Sequence, residues 1–238
     1  MSRDAAMTKA ADAAGSVGTA DQRREQMLRA ALEVIAERGY ADTRIADVAE
    51  RTGISPALVI YYFKTKDRLL AEAIGYSENN WYAESQRRMA ALPTAAARLE
   101  EIVAMTCLPA ADPQPYYSWL LWLDFWALAA RNPEVADLRQ KDDERWRDLI
   151  SSLVRSGQET GEFRDVDPHS FAVLLCSLLD GLAIQIALDD PVVDPARAFE
   201  LCMLFTADQL GFTWDGGQGR LGGSRRAGQR SGAHQEGR

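Results

Sequence analysis

The side chains whose types and spacing could do chemistry are concentrated between residues 43 and 66. Hydroxyl, guanidinium and ammonium donors recur there, and these groups bind the phosphate oxygens of nucleic acids. At the predicted start of a helix, the Ser55 hydroxyl and the neighbouring backbone amides are suited to holding an anion. The donors that we expect to face phosphate are Thr43, Arg44, Ser55, Tyr62, Lys64 and Lys66.

Uncharged side chains of the same stretch are placed to read base edges. Pro56, Ala57, Leu58 and Tyr61 occupy the predicted exposed positions of one helix. Apolar groups meet thymine methyl groups in the major groove, and a tyrosine hydroxyl donates or accepts a hydrogen bond. The stretch therefore predicts binding to double-stranded DNA.

Two short helices joined by a tight turn must hold these residues in place. The first is predicted at about 44–52 with Thr43 as its N-cap, and the second at about 55–62 with Ser55 as its N-cap and Pro56 at its first position. Gly53 supplies the turn, because the required backbone conformation is costly for a residue with a Cβ. This is a helix-turn-helix, and its inward side chains are predicted to be Ile45, Val48, Ala49, Ile54 and Val59.

The chain from Ala31 to Ala73 resembles the DNA-binding domain of the tetracycline-repressor (TetR) family. Residues 31–40 read ALEVIAERGY, residues 43–55 read TRIADVAERTGIS, and residues 61–70 read YYFKTKDRLL. The resemblance implies nine helices, a variable C-terminal ligand domain, a homodimer and repression of transcription. Ile60 departs from the family, which commonly has tyrosine there. The phosphate contact of that tyrosine is therefore not carried over, and Tyr61 or Tyr62 is expected to replace it.

Helical periodicity recurs along the whole chain, and no alternating run predicts a strand. The expected fold class is all-α, with helices at about 22–38, 44–52, 55–62, 66–91, 94–107, 117–130, 134–160, 168–188 and 195–211. The predicted domains are a disordered N-terminal extension (1–19), the helix-turn-helix domain (20–67), a helical ligand-binding and dimerisation domain (68–212) and a disordered Gly/Arg-rich tail (213–238).

A net charge of −8 repels DNA when it is taken as a whole, but its distribution along the chain leaves DNA binding possible. Residues 21–68 carry nine basic and eight acidic groups, and residues 69–212 carry eleven basic and twenty-three acidic groups. The acidic excess therefore lies in the body of the protein. Because phosphate contacts are local, an acidic body does not exclude a DNA-binding head.

The last two predicted helices carry more apolar surface than one flank of a small domain needs. The resemblance implies that they pair with a second subunit as a four-helix bundle. Such a two-fold dimer would read a palindrome across successive major grooves. The residues predicted to form the interface are Phe171, Leu175, Leu178, Leu182, Phe199, Cys202 and Phe205.

The sixth predicted helix is rich in tryptophan, and two interpretations of it stay open. Trp119, Trp122 and Trp126 share one helix face, which is typical of core packing but also of an aromatic cavity wall. Asp124 and Asp180 would be costly to bury without a partner, and carboxylates with aromatic faces bind organic cations. The region from Leu121 to Leu188 resembles the BetI-type, choline-responsive branch of the family. A cationic amine is therefore a candidate inducer, beside a neutral apolar ligand or no ligand.

Catalysis has no support in the residues. The chain has two histidines, His169 and His234, and shows no nucleophile elbow, phosphate loop or metal-spaced cluster. We therefore expect neither an enzyme nor a cofactor nor a metal site. A helical interaction protein without DNA binding is the other rival class, and the phosphate-facing set opposes it.

The remaining features predict a cytoplasmic protein. Residues 1–20 lack the apolar run of a signal peptide, and Ser177, Asp180 and Gln185 interrupt the most apolar segment, which favours a buried helix over a membrane span. The three cysteines form no CxxC pair, so we expect small buried side chains rather than disulfides or a redox switch.

Overall fold

The computed structural model describes residues 4–108 and 119–216, with side chains from Ala20 onward. The all-α fold class is confirmed: within these ranges the chain forms nine helices and no strand. They are α1 (Asp4–Asp42), α2 (Ile45–Thr52), α3 (Pro56–Phe63), α4 (Lys66–Ala90), α5 (Ala95–Cys107), α6 (Trp119–Ala129), α7 (Pro133–Glu159), α8 (Pro168–Ala187) and α9 (Pro195–Leu210). The predicted helix start at residue 117 and the tail from residue 217 lie outside the described residues.

Helix α1 differs most from its prediction. It begins at Asp4 rather than near Gln22, so the disorder expected over 1–19 is not what the structure describes from residue 4 onward. Seven alanines among residues 4–20 account for this, because alanine has the highest helix propensity. At Gly39 the backbone leaves the helical path (φ 77°, ψ 159°), which is where the sequence predicted a stop.

The contacts of the chain divide it into two compact units that differ from the predicted domains. The first unit comprises Met1–Tyr82 and Gln114–Asp142, and the second comprises Ala83–Pro113 and Asp143–Arg238. Helix α6 therefore belongs to the same unit as the helix-turn-helix. Helices α4 and α7 each contribute residues to both units.

The core of the first unit explains why α6 joins it. Phe125 of α6 is fully buried in the same apolar cluster as Leu32 of α1 and Phe63 of α3. The predicted inward residues of the helix-turn-helix are confirmed: Val48, Ala49 and Val59 are buried, and Ile45 and Ile54 pack against the cluster. Burying a large apolar side chain contributes about 1.5–3 kcal/mol, so this cluster holds two very short helices in place.

The second unit is built on α5, α8 and α9, which pack on one another. Helix α8 is long and apolar enough by composition to cross a membrane. One of its faces, however, is buried inside the unit, as the sequence predicted. That face consists of Phe171, Ala172, Leu175, Cys176, Leu179, Leu182 and Ala183.

All three cysteines are buried in the second unit and form no disulfide. Burial and the nearby Asp180 carboxylate raise the pKa of Cys176 to about 12. A hydrogen bond with Cys202, together with burial, raises the pKa of Cys107 above its usual range. Thiols held protonated in this way are poor nucleophiles, which fits the packing role expected from the sequence.

Gly157→Ala is expected to destabilise the protein by about 1–3 kcal/mol, because overpacking forces neighbouring groups to move. A Cβ at this position of α7 would lie 2.1 Å from Cδ2 of the buried Phe163 ring. Gly75→Ala in α4 is the matched control, because a Cβ there has no atom within 4 Å. That variant should be up to about 1 kcal/mol more stable through helix propensity. Urea unfolding of both variants checks the contrast, and equal midpoints would contradict it.

Candidate nucleic-acid interface

The turn between α2 and α3 has the geometry that the sequence requires. Gly53 adopts a left-handed conformation (φ 70°, ψ 18°) and ends α2. Its N–H donates to the Glu50 carbonyl at 3.2 Å, and the Ile54 N–H donates to the Ala49 carbonyl at 3.0 Å. The chain can therefore reverse within three residues and start α3 at a defined angle.

The start of α3 is capped as predicted. Ser55 is extended (φ −70°, ψ 145°), and its hydroxyl oxygen accepts the Leu58 N–H at 3.3 Å. Pro56 occupies the first helical position and has no N–H. Because Leu58 and Val59 both donate to Ser55, the Ala57 N–H is the first-turn donor left for an external acceptor. A helix start of this kind favours an anion such as phosphate.

The outer face of α3 is apolar and exposed. Tyr61 is 68 % exposed and Ile60 is 47 % exposed, and Pro56 and Ala57 are exposed as well. Leu58 and Tyr62 are half-buried, and Tyr62 packs against the core of the first unit. Sequence reasoning treated Ile60 only as a departure from the family. The exposure of Ile60 could have been predicted from helical spacing. When positions 59 and 63 face inward, position 60 falls on the outer face with positions 56, 57 and 61.

Lys64 follows α3 and is tied to Tyr61. The Lys64 Nζ donates to the Tyr61 carbonyl at 2.8 Å and lies 5.0 Å from the centroid of the Tyr61 ring. The Lys64 backbone has a positive φ (66°, with ψ −52°), and it ends the helix. Tyr61 also meets the Tyr62 ring edge to face, with 5.6 Å between centroids. The exposed Tyr61 side chain thus contacts Lys64 and the Tyr62 ring.

Lys66 has a different role from the one predicted. Its Nζ donates to the carbonyls of Tyr40 at 2.8 Å, Thr43 at 3.0 Å and Ala41 at 3.3 Å. It also lies 4.1 Å from the centroid of the Tyr40 ring. An ammonium has three donors, so these carbonyls use all of them. The structure therefore corrects the expected phosphate contact: Lys66 holds the segment that connects α1 to α2.

Thr43 also differs from its prediction as a phosphate donor and N-cap. The side chain is buried, and its hydroxyl donates to the Gly39 carbonyl at 2.8 Å. The N-cap of α2 is instead Arg44, whose backbone N–H donates to Asp47 Oδ2 at 2.7 Å. Thr43 thus supports the turn from inside, while the exposed residue at the start of α2 is Arg44.

Most other cations around the helix-turn-helix are paired with carboxylates. Arg51 donates to Glu37 at 2.6 and 3.0 Å and to Glu33 at 3.3 Å, and Arg38 donates to Asp47 at 3.0 Å. Arg24 and Arg68 both pair with Glu72. These pairs neutralise much of the positive charge of the first unit. Arg44, Ser55 at the α3 start and Lys64 are exposed polar and cationic groups next to the outer face of α3.

Asp124 of α6, predicted to line a ligand site, has a partner in the first unit. Its Oδ2 accepts the Tyr40 N–H at 3.0 Å. The Tyr40 hydroxyl donates to Asp67, whose other oxygen accepts Asn132 Nδ2 at 3.1 Å. Burial and the Asp67 hydrogen bond hold the pKa of Tyr40 above its usual range. The sequence predicted a ligand contact for Asp124, and in the structure its carboxylate accepts from a backbone amide 84 residues away.

The tryptophans of α6 divide into two groups. Trp122 and Trp126 pack against the core of the first unit, with 6.1 Å between their ring centroids. This is the packing role that the sequence left open. Trp119 is half-buried at the start of α6. Asp180 lies in the second unit and is exposed on α8, so the expectation of a buried charge is corrected there too.

Most of the predicted interface residues face the core of their own unit. Phe171, Leu175, Leu182, Phe199 and Cys202 are buried within the single chain, and Leu178 and Phe205 are half-buried. The exposed apolar residues of α8 and α9 are Val173, Leu174, Ile184 and Leu204, with Leu188 and Val192 after α8. The sequence therefore assigned to a partner the face of α8 that packs in its own unit, because α8 is apolar on both sides.

Comparison with known proteins gives matches to both parts of the chain. The family model of bacterial regulatory proteins of the tetR family matches residues 27–73, and the model of the C-terminal region of BetI-type transcriptional repressors matches residues 95–211. The HTH-type transcriptional regulator BetI of Serratia proteamaculans (strain 568) is 32 % identical over 202 residues, which is 82 % of this chain and 96 % of the relative.

The chain is also similar to solved structures of transcriptional regulators. A transcriptional regulator from Saccharomonospora viridis in complex with choline is 30 % identical, has a TM-score of 0.70, and is matched over 78 % of this chain and 95 % of its own. A TetR-family transcriptional regulator from Rhodococcus sp. is 26 % identical with a TM-score of 0.70, over 80 % of this chain and 99 % of its own.

Proposed function

Because the chain belongs to the TetR family of bacterial regulatory proteins and is a transcriptional regulator rather than an enzyme, we propose that it represses transcription as a ligand-responsive homodimer. The dimer binds a palindromic operator in the cytoplasm, and a small organic cation releases it. The observation that carries the DNA-binding part is the exposed outer face of α3, which a capped start and a buried inner face hold in a fixed orientation.

The proposed DNA contacts follow from which groups are exposed. Arg44 at the start of α2, Ser55 with the Ala57 N–H, and Lys64 at the end of α3 supply phosphate donors. The half-buried Tyr62 adds its hydroxyl at the edge of the same surface. Pro56, Ala57, Ile60 and Tyr61 face the bases. A short helix with such a face fits the major groove, which admits an α-helix.

Arg44→Ala is expected to weaken operator binding about tenfold for each lost phosphate contact, in line with the strength of a charge-assisted hydrogen bond. Two subunits lose one contact each, so the slope of log affinity against log salt should become shallower by about two. Arg51→Ala is the matched control, because Glu33 and Glu37 already neutralise this exposed arginine. Fluorescence anisotropy at several salt concentrations measures both. Equal slopes for the wild type and Arg44→Ala would contradict the assignment.

The proposed dimer interface is the exposed stripe of α8. Leu174, Ser177, Gly181, Ile184 and Leu188 follow one another at alternating spacings of three and four residues, and all five are exposed. This spacing is that of a helix–helix seam. A Cβ at Gly181 would have no atom within 4 Å in the single chain, so packing within the chain does not require glycine there. A helix of a second subunit that packs closely against α8 would require glycine at this position. Leu204 of α9, 50 % exposed, extends the apolar surface.

The proposed inducer class is a quaternary or related organic cation. Support comes from the match to the BetI-type C-terminal region and from the choline named for the relative that is 30 % identical. Asp180 of the second unit remains the proposed acidic contact, since Asp124 is engaged by Tyr40. A cation over an aromatic face is attracted to the ring, and a carboxylate balances its charge.

Choline is expected to bind the protein and lower its operator affinity, whereas the neutral isostere 3,3-dimethylbutan-1-ol should bind at least about tenfold more weakly. Asp180→Asn should weaken choline binding, and Asp208→Asn, the same change at another exposed aspartate on α9, should not. Isothermal titration measures all four. Equal affinity for choline and its isostere would favour a neutral apolar inducer over a cation. If neither compound binds, both proposed inducer classes are contradicted.

Release follows from a shift between two states of the dimer. A ligand changes DNA affinity only as far as it binds the two states with different affinity. Helix α4 is continuous from Lys66 to Ala90, and it starts directly after the recognition helix. A change in the path of α4 therefore changes where α3 is presented, and in a dimer it changes the separation of the two recognition helices.

A further inference from the structure

The recognition face of α3 has an unusual composition. Residues 56–63 read PALVIYYF, so the helix contains no arginine, lysine, asparagine, glutamine, aspartate or glutamate. The standard readers of guanine are Arg and Lys, and those of adenine are Asn and Gln, because they form two parallel hydrogen bonds with a base edge. Helix α3 itself supplies none of these side chains. Its exposed groups are aliphatic carbons and a single phenol.

What the major groove offers to such a face is the C5-methyl group of thymine. Of the features that distinguish base pairs there, the methyl is the apolar one. Ile60 is 47 % exposed, whereas its neighbour Val59 is fully buried, so Ile60 serves no part of the core. Ala57 lies one turn before Ile60 on the same face and is exposed as well. Together they form an apolar strip along the helix.

Tyr61 beside this strip is held in place before DNA arrives. Lys64 lies 5.0 Å from its ring centroid and donates to its carbonyl at 2.8 Å, and the Tyr62 ring meets it at 88°. Holding a side chain in advance lowers the entropy lost on binding. The same hydrogen bond engages the Lys64 ammonium, which is the nearest cation after α3.

We propose that this regulator recognises its operator half-site through thymine methyl groups, with Ile60 as the principal specificity residue and Ala57 and the edge of the Tyr61 ring beside it. The inference rests on the proposed DNA-binding function and goes further by naming what is read. The operator half-site therefore contains at least one T·A pair whose methyl group contacts Ile60. Hydrogen bonds to guanine or adenine contribute less to its selection.

The test removes methyl groups one position at a time. Deoxyuridine differs from thymidine only in lacking the C5-methyl group. Starting from an operator selected with the full-length protein, each thymine is replaced by uracil symmetrically in both half-sites, and the affinity is measured. Losing one buried methyl contact is expected to cost about fourfold, and the two half-sites together about tenfold or more. One or two positions should show this loss, and the rest should not.

Ile60→Ala identifies the residue responsible. This variant should bind the thymine operator more weakly than the wild type does but lose its sensitivity to uracil at the position that Ile60 contacts. Arg44→Ala is the matched control: it should bind more weakly and keep the full uracil effect. Because Ile60 is exposed, its variant should unfold at the wild-type temperature, which separates a lost contact from a damaged fold.

Each outcome has a distinct meaning. Uracil effects that disappear in Ile60→Ala support the proposal. A specific palindrome that tolerates uracil everywhere overturns methyl recognition while the proposed function stands. A large loss on replacing guanine by 7-deazaguanine, with no uracil effect, overturns it in favour of hydrogen-bonded readout by Lys64. If no palindrome is bound at all, the proposed function fails and the inference fails with it.

Discussion

Leu174→Glu or Ile184→Glu is expected to convert the protein into a monomer and to lower its affinity for a palindromic operator at least about a hundredfold. Both side chains are exposed in the single chain, at 54 % and 38 %, so the change should leave the fold intact. In a two-fold seam each substitution places two carboxylates in an apolar interface, and burying an unpaired charge costs several kcal/mol. Separate subunits then bind half-sites independently, which removes the gain from bivalent binding.

The control is Leu120→Glu, the same kind of change at an exposed leucine of α6. It should leave the dimer and the operator affinity unchanged. Sedimentation equilibrium gives the oligomeric state, and an operator titration gives the affinity. If both α8 variants remain dimers with wild-type affinity, the interface lies elsewhere on the chain. Phe199→Ala provides a contrast: because Phe199 is fully buried, it should destabilise the second unit by about 3–5 kcal/mol rather than separate subunits.

Lys66→Met is expected to lower the free energy of unfolding by about 2 kcal/mol or more without changing the salt dependence of DNA binding. The ammonium donates to three carbonyls of the segment 40–43, where α1 ends before α2, and methionine removes these hydrogen bonds while keeping the length of the side chain. A charged hydrogen bond contributes about 1.5–3 kcal/mol, and a lost partner leaves a desolvation cost. DNA affinity should also fall, because Arg44 follows directly on this segment.

Lys64→Met is the matched control, since Lys64 is exposed and bound to a single carbonyl. Its stability should change by less than about 0.5 kcal/mol, as for most surface substitutions. Urea unfolding and the salt slope of operator binding separate the two roles. A Lys66→Met protein of wild-type stability whose salt slope is shallower by about two would show that Lys66 contacts phosphate after all.

The parts of the fold that follow from local chemistry could be predicted. Ser55 followed by Pro56 marks a helix start, and Gly53 marks a left-handed turn, because each constrains its own backbone. The inward residues of α2 and α3 follow from helical spacing in the same way. These local rules were enough to place the recognition helix.

Roles that depend on distant partners could not be predicted. The acceptors of Lys66 are backbone carbonyls, and the donor to Asp124 is the backbone N–H of Tyr40, so no pattern of side chains reveals either bond. The buried face of α8 could not be predicted for another reason. Its sequence is apolar on both faces, so composition does not distinguish the face that packs on its own core from the face that is left exposed.

In the proposed dimer, α3 presents a DNA-reading surface twice, once per subunit. The most direct measurement is selection of bound duplexes from a random pool by ligand-free, refolded protein, followed by affinity at two salt concentrations. We expect an enriched palindrome whose half-sites lie about one helical turn apart and which is bound less tightly at the higher salt. If no sequence is enriched, and if the higher salt weakens binding to all duplexes equally, the result would contradict the proposed DNA-binding function.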